Sequence, residues 1–376
     1  MSRVEIQTLA RSGNDLRRFL RFSYEVYRDD PLWVAPLLGD LSKVFRDENP
    51  LFEHAEMQLW IATRDGRDAG RIAALLDRNY NAFHGEHSAF FGYFECVNDP
   101  EVCRALFSAA CAWARGKGMK RILGPVNPTT NDESGLLVHG FDSSPVFMMT
   151  YNPPYYENLV TAEGFAKAKD LFAYVFDLAG APKHRCERIA AKFKERKREF
   201  SIVPVTRQNV DQALGQVKEV YNEAWKKNWG FVPMTDAEIN FLAARLKPLL
   251  TEGLAYIARN AHEPAGFLLA LPDFNQTLKP LKGRLLTPRL LGALPQLLGW
   301  KVPDVCRVVT LGVKAKYRGW GIETAMLAEG LRTGIKLNFR AVEASWILED
   351  NTAVQRVIEL FGGKRYKTYR IYERVL

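Results

Sequence analysis

The chain has 376 residues, 47% of them hydrophobic and 12% aromatic, which is enough apolar surface for two domains with their own cores and argues against a disordered protein. Its formal net charge of +9 at pH 7 favours anionic partners such as phosphate-bearing ligands, anionic lipid surfaces or RNA, without choosing among them. No run reaches the ~18 apolar residues of a membrane-spanning helix, and no apolar signal segment opens the chain.

Apolar periodicity predicts alternating helices and strands through the first half of the chain. Turn residues such as Arg64-Asp65-Gly66 separate them, and Pro100 opens one helix. The predicted helices are Leu16–Tyr27, Val102–Ala114 and Tyr155–Ala162, and the predicted strands are Gln58–Ala62, Ala69–Leu76, Ala89–Cys96, Arg121–Gly124 and Leu171–Phe176.

The second half repeats this order of elements. Its predicted helices are Val210–Trp229, Thr324–Leu337 and Thr352–Phe361, and its predicted strands are Leu254–Arg259, Gly266–Leu271, Val308–Val313, Ala341–Trp346 and Tyr366–Glu373. The rhythm predicts an α/β chain in which a mixed sheet with helices on both faces occurs twice, in domains 1–180 and 181–376. A basic segment, 183–198, joins them and is either a solvated linker helix or a surface for an anionic membrane or RNA.

Five scattered cysteines (Cys96, Cys103, Cys111, Cys186 and Cys306) lack the C-x-x-C spacing of zinc sites. Their odd number and spacing predict reduced thiols in a reducing compartment and no bound metal. We therefore expect a cytoplasmic protein, with peripheral contact at the inner face of the membrane left open.

A glycine loop between a strand and a helix is the strongest local signal. The strand ends before Lys314, and the basic loop that follows contains Arg318, Gly319 and Gly321. Such a loop presents unpaired backbone N–H groups to an anion at the positive end of the helix dipole, which predicts a phosphate site. The spacing matches neither a P-loop nor a dinucleotide fingerprint.

Arg318 and Gly321 resemble the acyl-CoA pyrophosphate loop of the GNAT superfamily, Arg/Gln-x-x-Gly-x-Gly/Ala, with Glu323 as a departure at the last position. The segment 351–363 resembles a second GNAT motif that opens with an asparagine. The resemblance implies two tandem GNAT folds and acyl-CoA as the cosubstrate. The residues that it assigns to acyl-CoA are Leu311, Val313, Arg318, Gly319, Trp320, Gly321, Ile322, Glu323, Thr324 and Asn351.

The first half has no such loop, since the corresponding segment 95–101 is acidic and free of glycine. It contains instead a polar block, 124–135, that is either a binding loop or a structural one. This block, with those at 151–156, 221–233 and 271–276, resembles the tandem-GNAT family that contains bacterial ceramide synthases. The resemblance implies transfer of a fatty acyl group to the amine of a long-chain base. The substrate-binding candidates are Asn127, Asn131, Tyr151, Asn152, Trp225, Trp229 and Asn275.

Acylation of an amine needs a group that removes a proton from it, and a carboxylate is the expected base. The candidates in the polar blocks are Glu133 and Glu223, followed by Asp132 and Asp273. Ile358 stands where many GNAT proteins have a tyrosine that protonates the leaving thiolate. The general acid is therefore unassigned, with Tyr366, Tyr369 and Tyr372 as candidates.

The segment 278–301 is basic and rich in leucine, and it contains three prolines. It fits a segment lying on an anionic bilayer or covering an acyl chain, and equally a helical insertion into the core. Other functions stay open: an acetyl-CoA-dependent N-acetyltransferase for a small molecule or a protein, or a non-catalytic acyl-CoA sensor. Aminoacyl-tRNA-dependent transferases share the tandem fold but do not use CoA, and no nucleic-acid partner is expected.

Overall fold

The computed structural model describes residues 3–180, 183–284, 288, 290–297 and 303–376. The chain divides into two compact units. The first comprises Met1–Leu171, Leu278–Leu291 and Lys367–Leu376, and the second Phe172–Thr277 and Gly292–Tyr366. The C-terminal segment belongs to the first unit because Tyr372–Val375 pairs antiparallel with Arg121–Gly124. The predicted ranges 1–180 and 181–376 place that segment in the second domain.

The first unit is built around a mixed sheet. Its elements are β1 (Val4–Leu9), α1 (Gly13–Val26), α2 (Leu38–Leu41), β2 (Ala55–Arg64), β3 (Arg67–Asp77), α3 (Arg78–His84), β4 (Ser88–Cys96), α4 (Pro100–Gly116), β5 (Arg121–Gly124), β6 (Val126–Asn127), β7 (Glu133–Ser134), β8 (Leu136–His139) and α5 (Tyr156–Ala162). Strands β1 to β5 are neighbours in that order, and only the β4–β5 pair is parallel.

The core of the first unit lies between this sheet and α4. Apolar residues recur along α4 at helical spacing, so one side of the helix packs on the strands. These buried residues are Val102, Cys103, Leu106, Phe107, Ala110, Cys111 and Ala114.

The second unit also contains strands in mixed pairing. Its elements are α6 (Lys183–Arg196), β10 (Ser201–Pro204), α7 (Val210–Ala224), α8 (Asp236–Leu246), β11 (Ala255–Arg259), β12 (Pro264–Pro272), β13 (Val305–Val313), α11 (Ile322–Lys336), β14 (Ala341–Leu348) and α12 (Thr352–Leu360). Strands β14, β13, β12, β11 and β10 are neighbours in that order, and only β13–β14 is parallel. Four further elements cross the division between the units: β9 (Ala166–Asp177), α9 (Asn275–Leu278), α10 (Leu290–Leu297) and β15 (Lys364–Val375).

The prediction of an α/β chain with mixed strand pairing is confirmed, and the predicted elements of each half are present. One predicted helix, Val210–Trp229, is wrong at its end, because α7 stops at Ala224. The reason is tertiary: the guanidinium of Arg318 donates a hydrogen bond to the Ala224 carbonyl, which satisfies one of the acceptors left open at a helix C-terminus. Periodicity did not predict β1, α3, α8 or β10.

The leucine-rich segment 278–301 is only partly described. Leu281 is buried, and α10 contains Pro295, whereas 285–287, 289 and 298–301 lie outside the described residues. Within the described part of the chain, no helix combines the length and the hydropathy that a membrane crossing requires.

Candidate functional site

The parallel strands β13 and β14 separate along their length. Their register runs from Val305 opposite Ala341 to Val308 opposite Ala344. On its other side, β13 has one extra residue, Val309, because Val308 faces Ala270 and Thr310 faces Leu269. A bulge of this kind bends the strand that contains it. The two strands therefore form a fork that opens beyond Val308 and Ala344.

A cavity of about 360 Å³ lies in this fork. Its wall is mainly apolar, with polar groups where β13 leads into α11 and at the start of α12. The lining residues are Phe176, Trp225, Asn228, Val308, Val309, Thr310, Leu311, Gly319, Gly321, Glu323, Thr324, Leu327, Ala344, Ser345, Trp346, Ile347, Leu348, Asn351, Ala353, Val354, Val357 and Ile358. An apolar pocket with a few converging polar groups is the usual form of a ligand site.

The glycine loop forms one end of the cavity. Gly319 has φ +78° and Gly321 has φ +86°, a conformation that side-chain-bearing residues rarely adopt. Gly321 is the N-cap of the 15-residue helix α11, and no described side chain caps this helix. The first turn of α11, at the positive end of the helix dipole, contributes Glu323 and Thr324 to the cavity wall, and this position suits a phosphate group.

Glu323 is the unusual residue of this loop. It lies in the first turn of α11 and lines the cavity. Burial raises the pKa of its carboxyl group, and its own backbone N–H and the nearby Arg318 oppose that rise. When ionised, Glu323 places a negative charge where a phosphate would bind.

Arg318 ties the loop to the end of α7 rather than lining the cavity. Its Nη2 donates to the Ala224 carbonyl and its Nε to the Val313 carbonyl at 3.4 Å. Other predicted acyl-CoA residues also lie off the cavity wall: Ile322 is buried in the core, and Trp320 is 43% exposed beneath the Lys197 ammonium.

Lys314, directly after β13, is buried and holds the loop by ion pairs. Its Nζ pairs with Glu219, with Glu263 at 2.8 Å and with Glu223 at 3.6 Å. Hydrogen bonds from Lys314, Lys316 and a tyrosine lower the pKa of Glu263 to about 2. The structure therefore places Glu223, a predicted base, beside Lys314 and off the cavity wall.

Two predicted residues close the cavity from other elements. Asn351 is the N-cap of α12, where its Oδ1 accepts from the Val354 N–H at 3.4 Å, and it also lines the cavity. Trp225 follows α7, and its ring lies against the backbone of Gly312, where a Cβ atom would come within 2.1 Å of the ring. Trp229 is half-buried outside the cavity wall.

The chain is similar along nearly its whole length to two proteins. It is 36% identical over 374 residues to the bacterial ceramide synthase of Caulobacter vibrioides, covering 96% of the chain and 95% of that protein. It is 33% identical over 370 residues to protein YghO of Escherichia coli, covering 96% and 93%. No protein-family model matches the chain.

The fold is that of tandem GNAT proteins. A tandem GNAT protein from the clavulanic acid biosynthesis pathway superposes with a TM-score of 0.62 at 14% identity, covering 99% of this chain and 98% of the other. A GCN5-related N-acetyltransferase from Sphaerobacter thermophilus gives a TM-score of 0.52 at 12% identity, covering 99% and 95%. The chain belongs to the tandem GNAT N-acyltransferase family of the bacterial ceramide synthase.

In this family member, the predicted polar residues of the first unit form a hydrogen-bonded block. Asn127 Oδ1 accepts from the Tyr93 N–H at 2.6 Å, and Asn127 pairs with Glu133 across β6 and β7. Thr129 Oγ1 donates to Asp132 at 2.7 Å and accepts from the Asn131 N–H at 3.2 Å.

The tyrosine-rich segment of the first unit is bonded in the same way. Tyr151 donates its hydroxyl proton to Asp30 at 2.9 Å. The Asn152 side chain is buried and bonds both the N–H and the carbonyl of Leu137, at 2.7 and 3.1 Å. The Asn152 side chain thus bonds the backbone of β8 as a neighbouring strand would, and this role is structural.

Two further predicted residues follow β12 in the second unit. Asp273 is buried and its Oδ1 accepts from the Asn275 N–H at 3.2 Å. Close to Asp273 lies a charged pair that sequence reasoning missed, Arg307 on β13 and Glu343 on β14. The available signal was a charged residue in each of two otherwise apolar strands, where buried charges need partners.

The described cysteine side chains do not provide a nucleophile. Cys96, Cys103, Cys111 and Cys306 are buried and unpaired as disulfides. Burial raises the pKa of the Cys103 and Cys306 thiols to about 12, so the reactive thiolate is scarce at neutral pH.

Proposed function

We propose that this protein transfers a long-chain acyl group from acyl-CoA to the primary amine of a sphingoid base. The observation that carries the proposal is the open fork between β13 and β14, where an apolar cavity meets an uncapped helix N-terminus. The similarity to a protein named bacterial ceramide synthase supports the same acceptor class.

The two ends of the cavity suit the two parts of an acyl-CoA molecule. The first turn of α11 and the glycine loop would receive the pyrophosphate. The apolar wall, to which Phe176, Leu327, Val357 and Ile358 contribute, would receive the acyl chain, since burial of each CH₂ group is worth about 0.8 kcal/mol. The chemistry of the two ends of the cavity therefore fits acyl-CoA, except that the Glu323 carboxylate would repel the pyrophosphate.

The reaction is nucleophilic attack of the amine nitrogen on the thioester carbonyl. The C–N bond forms, the C–S bond breaks, and the electron pair leaves with sulfur. No tyrosine stands at position 358, and a thiol pKa of about 8.5 makes the thiolate a tolerable leaving group without a dedicated acid.

We place this reaction in the cytoplasm, with peripheral contact to the inner face of the membrane. The support is the chemistry of a lipid acceptor together with the basic, leucine-rich segment 278–301. Binding to vesicles that contain anionic lipid, compared with neutral vesicles, tests this part.

The deciding measurement is thiol release by the purified protein with palmitoyl-CoA or acetyl-CoA, with and without sphinganine or 3-ketosphinganine. We expect release that requires both the long acyl chain and the lipid amine. Release from acetyl-CoA with simple amines would instead make the protein a general N-acetyltransferase. Binding of palmitoyl-CoA without release under any of these conditions would make it a sensor.

A further inference from the structure

Glu343 and Arg307 form a buried ion pair next to the fork. They are register partners on β14 and β13, one position before the strands separate. Glu343 is 1% exposed and Arg307 is 2% exposed. Both side chains therefore lie inside the second unit, immediately behind the cavity.

The geometry of the pair argues against a purely stabilising role. Arg307 Nε lies 3.6 Å from Glu343 Oε2, which is beyond hydrogen-bond distance. A buried ion pair offsets its desolvation only when its geometry is excellent, so this one is poor evidence for stability. A buried carboxyl group with a perturbed pKa, a specific charged partner and a cleft beside it is a candidate functional group.

The surroundings of Glu343 keep its two protonation states close in free energy. Burial raises the pKa of Glu343 to about 7, and the neighbouring charge of Asp273 acts in the same direction. Arg307, Ser345 and Tyr366 oppose the rise by charge or by hydrogen bonding. A carboxyl group with this pKa can accept a proton and release it again near neutral pH.

Ser345 connects Glu343 to the cavity. Ser345 lies two residues after Glu343 on β14, so the two side chains project from the same face of the strand. Its Oγ donates a hydrogen bond to Glu343 Oε2 at 3.0 Å, and Ser345 lines the cavity beside Trp346. Neither Glu223 nor Asp273 is on the cavity wall.

We propose that Glu343, acting through the Ser345 hydroxyl, is the proton acceptor that deprotonates the acceptor amine. This inference rests on the proposed function. The acceptor arrives as an ammonium ion and gives one proton to Ser345 Oγ while the Ser345 proton passes to Glu343. The free amine attacks the thioester, and its second proton goes to the departing thiolate to give CoA thiol. Glu343 then returns its proton to solvent.

The test compares Glu343→Gln, Ser345→Ala and the matched control Glu359→Gln, an exposed glutamate of α12. Thiol release with palmitoyl-CoA and sphinganine is followed over the pH range from about 6 to about 9. We expect the wild-type kcat to fall about tenfold per pH unit below about pH 7, since the ionised carboxylate is the active form. Glu343→Gln should lower kcat about 100-fold at neutral pH and remove that limb of the profile.

Two further measurements separate proton transfer from a structural defect. Palmitoyl-CoA binding, followed by calorimetry, should be unchanged in Glu343→Gln, because Glu343 is not on the cavity wall. An aminooxy analogue of sphinganine, whose nitrogen is unprotonated at neutral pH, should restore release by Glu343→Gln to within a few-fold of the wild type. Ser345→Ala should show the same loss and the same rescue, and Glu359→Gln should behave as the wild type.

The outcomes are distinct for the two proposals. A Glu343→Gln enzyme that keeps the wild-type pH profile overturns the role of Glu343 and leaves the acyl transfer intact. Loss without rescue by the aminooxy analogue, with acyl-CoA binding retained, also overturns it. Absence of thiol release by the wild type with every amine overturns the proposed function itself.

Discussion

Each unit contains a parallel strand pair that separates, and the two forks differ in what occupies them. In the first unit, β4 and β5 pair from Ser88 opposite Arg121 to Phe90 opposite Leu123. Beyond this point the chain fills its own fork: a Cβ atom on Gly92 would lie 1.8 Å from the Val126 carbonyl oxygen. In the second unit, the fork between β13 and β14 is a cavity of about 360 Å³. The same strand arrangement therefore yields a cavity only where no described segment of the chain enters it.

The helices that follow β4 and β13, which are α4 and α11, also differ at their N-termini. Asp99 caps α4, accepting from the Glu101 N–H at 3.0 Å and the Val102 N–H at 3.4 Å. Gly321 begins α11 without a described side-chain cap. The N-cap carboxylate of α4 therefore bonds first-turn N–H groups, whereas the N-cap of α11 is a glycine and cannot do so.

The largest expected effect comes from filling the open fork. Ala353 is exposed on α12 and lines the cavity, so Ala353→Trp would narrow the cavity without overpacking the core. We expect kcat/KM for palmitoyl-CoA to fall about 100-fold, which is about 2.7 kcal/mol of transition-state stabilisation. Leu360→Trp, at a 41% exposed position of the same helix off the cavity wall, is the control. Equal kinetics for both variants would show that the cavity is not the acyl site.

The second-largest effect should come from loosening the fork between β4 and β5, which the chain itself fills. Asn127→Ala removes the acceptor of the Tyr93 N–H and should lower the free energy of unfolding by about 1–3 kcal/mol in urea titrations. Asn127→Asp, which keeps an oxygen acceptor, should lose less. The KM for acyl-CoA should not change. A raised KM for the amine with unchanged stability would instead assign Asn127 to substrate binding.

Removing the Arg318 side chain, which ties the glycine loop to the end of α7, should have a somewhat smaller effect. Arg318→Ala loses the hydrogen bonds to the Ala224 and Val313 carbonyls and a positive charge near the phosphate site. We expect the KM for acyl-CoA to rise about tenfold, or about 1.4 kcal/mol, with the KM for the amine nearly unchanged. Arg332→Ala, on the exposed part of α11, is the control. An unchanged KM for acyl-CoA would contradict the loop assignment.

The smallest expected effect concerns the carboxylate of Glu323 in the cavity between β13 and β14. Because burial raises the pKa of Glu323, its ionised fraction grows as the pH rises through that value. Acetyl-CoA affinity of the wild type should fall over the same range, since the carboxylate repels the pyrophosphate. Glu323→Gln should bind about threefold more tightly at high pH, or about 0.6 kcal/mol, and show a flatter pH dependence in calorimetry. A variant that binds more weakly would show that Glu323 assists the ligand.

Most of the secondary structure and part of the cavity wall could be predicted from the chain alone. Strands such as Ala341–Trp346 and the helix after Gly321 follow from periodicity and glycine placement, which are local properties. Leu311, Gly319, Gly321, Thr324 and Asn351 were predicted from motifs and lie together on the cavity wall. Glu343 was missed because its partner Arg307 lies on another strand, so only the fold shows that the two charges are paired.

The amino-acid sequence by itself determined the two α/β halves, the family and the glycine loop before α11, because each depends on spacing between neighbouring residues. Only the tertiary structure decided which fork is open, since Val126 and Asn127 reach Gly92 and Tyr93 across the fold. It also decided that Arg318 ends a helix about ninety residues earlier in the chain, and that Glu343 meets Arg307 and Ser345 behind the cavity. Burial and charge at those positions are set by residues distant in the chain, so spacing alone could not reveal them.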